Sequence, residues 1–125
     1  MRYAALALFL AASPPLAAAP SPQGVWRTQP GPKGGSMNVE VAPCGGAGET
    51  LCGVVVGTFN MNRPDLMGIT LIRDMVPDGE GGWSGEIYAP DKGTFDSRMQ
   101  IEGSDLKVEG CMLTICRSQI WSRVE

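Results

Sequence analysis

The chain has 125 residues, a formal charge of −3 and no histidine. That length fits one domain of ordinary size, and an acidic balance without a Lys/Arg cluster argues against a nucleic-acid partner or an anionic membrane surface. The missing histidine excludes Ser-His-Asp and Cys-His catalysis.

In chain order, the first segment reads as a secretory signal. Arg2 supplies a short positive region, residues 4–12 an apolar run, and Ala17, Ala18 and Ala19 small residues for cleavage. A membrane-spanning helix needs about twenty apolar residues, and Pro14 and Pro15 end this run early. The expectation is a signal peptide over residues 1–19, a single domain over residues 20–125, and a periplasmic or secreted protein without a membrane anchor.

The rest reads as all-β. Short apolar runs predict strands over residues 24–29, 36–42, 52–59, 69–75, 82–88, 95–102, 106–112 and 115–124, separated by turn-rich segments such as GPKGG, PDGEGG, APDKG and EGSD. In SMNVEVA, Met37, Val39 and Val41 share one face while Asn38 and Glu40 share the other. In TFDSRMQIE, Phe95, Ser97, Met99 and Ile101 oppose Asp96, Arg98, Gln100 and Glu102. A period of two with one apolar face is the pattern of a half-buried antiparallel strand. Eight such strands form a meander, closed as a barrel or packed as a sandwich. Gly24, Gly53, Gly57, Gly85 and Gly110 fall within or beside these strands, where glycine marks bulges and sharp bends. Residues 60–68 are the least regular connection.

Cys44, Cys52, Cys111 and Cys116 form an even set in an exported chain, the signature of a disulfide framework. Of the three possible pairings, Cys44–Cys52 and Cys111–Cys116 are favoured because each pair flanks a predicted turn. A metal site is disfavoured by the absence of any C-x2-C spacing and of histidine. The methionines, among them Met37, Met61, Met75, Met99 and Met112, show no M-x-x-M spacing for Cu(I) and read as adaptable packing. Asp74, Glu86, Asp91 and Asp96 are the carboxylates that neighbouring strands would bring together, but each lies at a turn or on a polar face. No enzymatic activity and no cofactor are expected.

The ordered motifs GVWRT, VEVAPCGG, LCGVVV, RPDLMGITLIRDM, GGWSGEIYAPDKGTF and CRSQIWSRV resemble the exported bacterial proteins grouped as domain of unknown function 2147. The resemblance implies an all-β, antiparallel, eight-stranded lipocalin-like (calycin-like) barrel, and implies no activity. Members of that family carry a longer polar loop where this chain has only NMNRPDLMG. The resemblance also gives Trp26 a structural role: in lipocalin-like barrels a Gly-x-Trp in the first strand plugs the closed end beneath an Arg from the last strand. Here Gly24, Val25 and Trp26 supply the first half, Arg117 or Arg123 the second, and Trp121 belongs to the same structural set.

The leading functional expectation is a carrier of a small apolar or amphipathic ligand, bound by an inner face of Met37, Val39, Ile87, Phe95, Met99 and Ile101. Arg73, Arg98 and Arg117 are candidate partners for a ligand carboxylate, although parity points Arg98 outward. The alternative is a protein-binding envelope scaffold or inhibitor with a solid core, acting through residues 45–49 and 60–68.

Overall fold

Each predicted apolar run is a strand. In the computed structural model, which describes residues 20–46, 48 and 50–125, these are β1 (Gly24–Arg27), β2 (Ser36–Pro43), β3 (Leu51–Phe59), β4 (Thr70–Pro77), β5 (Trp83–Ala89), β6 (Gly93–Glu102), β7 (Asp105–Met112) and β8 (Ile115–Arg123). The predicted signal peptide lies outside the described residues, as do residues 47 and 49 of the 45–49 loop. β1 stops two residues short of the expected end, because Pro30 and Pro32 follow and proline has no N–H for a ladder.

The strands pair antiparallel in sequence order, and β8 returns to β1 through Trp26↔Arg123 and Arg27↔Ser122. This closure makes the fold a barrel rather than a sandwich. Further bonds extend the seam, among them Val124 N–H to Val25 O at 2.7 Å. Closure removes the free sheet edges that would otherwise template aggregation.

Register assigns the inner face. Trp83, Gly85, Ile87 and Ala89 of β5 lie opposite Met99, Ser97, Phe95 and Gly93 of β6. Leu106, Val108, Gly110 and Met112 of β7 lie opposite Trp121, Gln119, Arg117 and Ile115 of β8. Ser97, the polar member of the inner face of β6, donates from its hydroxyl to Glu109 O at 2.6 Å. The bend in β4 falls at Asp74, which has φ of 53°, within a register shift between Arg73 and Val76. Gly85 faces it, and a Cβ there would lie 2.5 Å from Arg73 O and 2.7 Å from Asp74 O, so glycine is required by the close approach of the bulged strand.

The barrel is filled at one end. Trp26, Val39, Val41, Leu51, Val55, Ile72, Met75, Met99, Leu106 and Trp121 form its packed core. Trp26 is fully buried, and its indole N–H donates to Pro22 O at 2.8 Å. The Arg123 guanidinium carbon lies 4.1 Å from the centre of that indole. The same guanidinium donates to Gln23 O at 3.0 Å and to Ser21 O at 2.9 Å, tying the segment before β1 across the closed end. Arg117, the other candidate for this stack, sits at the opposite end of β8. Both arginines share inward parity with Trp121, but the register of β8 on β1 places only Arg123 beside Trp26.

Candidate functional site

The other end of the barrel is hollow. A cavity of about 680 Å³ opens there between the β1–β2 connection, the 60–68 loop and the β5–β6 and β7–β8 hairpins. Its floor is the top of the core: Leu71, Val108 and Trp121. Its walls include Met37, Ile87, Phe95, Met112 and Ile115, with Pro32, Met61 and Lys92. Ala89 and Gly110 are small residues on the lining, whereas Gly35 is packed against Met61, whose Cε would lie 2.8 Å from a Cβ there. The volume lies in the range of small-molecule sites, about 300–1,000 Å³.

Half of the predicted inner face lines this cavity. Met37, Ile87 and Phe95 do so. Val39 and Met99 do not: both are fully buried in the packed end, and Ile101 is half-buried against that core. On β2 and β6, where alternation sets the expected inner face, Val39, Val41, Ser97 and Met99 are buried on that side. Alternation carries no information about height along the barrel, and height separates core from cavity. Of the methionines, Met37, Met61 and Met112 line the cavity, while Met75 and Met99 are in the core.

The 60–68 loop forms part of the mouth. Its short 3₁₀ turn, Pro64–Leu66, inserts buried Leu66 into the cavity lining. Arg63 bridges the loop to the β5–β6 turn, 2.9 Å from Asp65 and 2.7 Å from Asp91. Donating hydrogen bonds to these two carboxylates raises the Arg63 pKa above its usual range, and the bond from Arg63 lowers that of Asp65.

The three arginines considered for a ligand carboxylate have different surroundings. Arg73 donates to Thr70 O and stacks 5.0 Å from the Tyr88 ring centre. Arg98 is bound to Asp78 at 2.6 Å and also to Gln100 on the outer face. Arg117 lines the cavity and has no ion pair or hydrogen bond among the described residues. Sequence reasoning did not single out the other polar residues of the lining on the β1–β8 side. Thr28, Gln29 and Gln119 also line the cavity, and the signal available for Gln119 was its shared parity with Arg117 and Trp121.

The carboxylates are not gathered here. Glu86 and Asp96 pair across β5 and β6 on the exposed face, Asp74 is exposed at the bulge, and Asp91 is held by Arg63. Both favoured disulfides are present: Cys44–Cys52, with Cα atoms 5.1 Å apart, and Cys111–Cys116, directly paired across β7 and β8 with Cα atoms 4.1 Å apart. The second clamps a hairpin tip on which Met112, Leu113 and Ile115 are exposed beside the cavity mouth.

Comparison with known proteins agrees with this architecture. A family model described as "Uncharacterized protein conserved in bacteria (DUF2147)" matches residues 24–123. Among solved structures, a Helicobacter pylori protein, HP1028, described as belonging to the lipocalin family, superposes with a TM-score of 0.63. The match covers 82% of each chain at 15% sequence identity, a likeness of fold. No curated protein sequence matches the chain significantly.

Proposed function

The chain belongs to the bacterial DUF2147 family, and from that premise we propose that it is an exported carrier that holds a small apolar or amphipathic molecule in the open half of its barrel. The observation that carries this reading is the cavity of about 680 Å³, apolar in its floor and most of its walls and open at one end. An eight-stranded barrel is wide enough either to be filled by side chains or to hold one small ligand, and this chain combines the two, a packed half beneath a hollow half.

Export to the periplasm or beyond is part of the proposal. Its support is the N-terminal sequence pattern and two cystines, which persist in oxidising compartments. N-terminal sequencing of the protein from its host should find a chain starting near Pro20, and thiol labelling should find no free cysteine.

Ligand capture is tested with N-phenyl-1-naphthylamine, a neutral apolar dye that fluoresces when desolvated. The carrier reading predicts saturable binding that Ala89→Trp, which places a large ring on the cavity wall, abolishes without loss of the folded state. Absence of dye binding, or binding unaffected by the filled cavity, contradicts it.

A second reading, contact with another envelope protein, has one observation in its favour: the exposed apolar tip of Met112, Leu113 and Ile115. Recovery of one defined partner that Leu113→Asp releases, together with an inert cavity, would favour it over the carrier.

A further inference from the structure

We infer that the ligand is an anionic amphiphile whose acid group is held by Arg117 and a wall of hydrogen-bond donors along the β1–β8 side of the cavity. This rests on the carrier reading and gives it a ligand class.

The inference comes from how the polar groups of that wall are already used. Gln29 accepts the Ile120 backbone N–H on its Oε1 at 3.1 Å. Gln119 accepts the Trp121 indole N–H on its Oε1 at 2.9 Å. Both partners can only donate, so they fix which way each amide points. Each glutamine therefore has its oxygen engaged and its NH₂ group left over. Thr28 accepts the Met37 N–H on its hydroxyl oxygen at 2.9 Å, leaving the hydroxyl hydrogen. Arg117 adds a guanidinium, which has donors and no acceptor. Thr28, Gln29, Arg117 and Gln119 all line the cavity, and all four offer donors.

A surface of donors with one uncompensated positive charge suits an oxyanion. Charge-assisted hydrogen bonds are roughly twice as strong as neutral ones, and guanidinium matches a carboxylate or phosphate with two parallel bonds. The other arginine on the lining, Arg63, already has both Asp65 and Asp91. Lys92, exposed on the β5–β6 turn, lines the same cavity without an ion pair among the described residues, so its contribution is separated from that of Arg117 by its own variant below. The floor of Leu71, Val108 and Trp121 supplies an apolar surface for the tail. The shared chemistry is an oxyanion on an alkyl chain, as in a fatty acid or an alkyl phosphate.

The test is displacement of the neutral dye by dodecanoate, dodecyl phosphate, dodecanol and dodecyltrimethylammonium. Both anions should bind at least about tenfold more tightly than dodecanol, and the cation most weakly. Arg117→Met should erase the preference while leaving dodecanol affinity within about twofold, and Arg117→Lys should restore part of it. Because Arg117 is exposed and makes no hydrogen bond or ion pair among the described residues, the variant should keep the parent melting temperature. A preference confined to dodecanoate or to dodecyl phosphate identifies the headgroup within the proposed class. Equal affinity for dodecanol and the anions overturns the inference and leaves the carrier standing. So does a preference lost in Lys92→Gln and kept in Arg117→Met. If none of the four displaces the dye and none binds directly by calorimetry, the inference falls, while dye binding that Ala89→Trp abolishes still supports the carrier.

Discussion

Trp26 shows how much one residue decides. Its indole is fully buried, its N–H is satisfied by Pro22, and Arg123 from the last strand covers it. The Gly-x-Trp motif made the indole's role legible. The choice of arginine was not, because Arg117 and Arg123 share a parity and only the closing register separates them. Trp26→Ala should cost about 3–5 kcal/mol, read as a shift in the urea midpoint; a change below about 1 kcal/mol would mean that the closed end does not depend on the indole. Leu113 is the opposite case, a fully exposed side chain with φ of 55° in the two-residue β7–β8 turn. A left-handed conformation costs an ordinary L-residue roughly 1–2 kcal/mol, and asparagine tolerates it better. Leu113→Asn should therefore raise stability by up to about 1 kcal/mol on the same urea scale, and a loss of that size would show that the apolar tip is packed against something.

At the scale of elements, the strands were readable because alternation and turn chemistry agree at nearly every junction. Boundaries moved by one or two residues, as where Pro30 cuts β1 short and Gly93 and Thr94 extend β6. The cystines were readable for a related reason: Cys111 and Cys116 flank a turn short enough to put them directly opposite each other. Such a cross-link acts chiefly on the unfolded chain, by about 2 kcal/mol for so short a loop in the chain-entropy model. Replacing both Cys111 and Cys116 by serine should lower stability by about that amount in equilibrium denaturation, with dye binding retained if the hairpin stays paired. The division into packed and hollow halves was not readable. It depends on which bulky residues meet at one height, Trp26 with Trp121 at one end and Ala89 and Gly110 with space at the other, and the pattern of a single strand does not encode its height in the barrel.

Across the whole molecule, the missing histidine removes the side chain that ordinarily titrates between about pH 5 and 8. Acid sensitivity falls to the carboxylates. Asp78 accepts the backbone N–H groups of Glu80 and Gly82 and pairs with Arg98; these bonds, that from Glu80 first, hold its pKa below the usual 3.8. Asp65 is lowered by Arg63. A carboxylate whose pKa is depressed in the folded state stabilises the fold above its unfolded pKa, and that contribution is lost as pH falls through the folded pKa. Melting temperature should therefore vary little from about pH 6 to 8 and decline below about pH 4. Asp78→Asn should lower the neutral melting temperature and flatten that decline; an unchanged acid limb would assign it to other groups.

The half-hollow barrel with its ligand inside is tested most directly by intermolecular nuclear Overhauser effects from dodecanoate bound to the intact protein. Contacts from the terminal methyl to Trp121 and Leu71, with the methylene beside the carboxylate near Arg117, are the predicted result. Contacts confined to the exposed Met112, Leu113 and Ile115 tip, or none inside the barrel, would contradict it.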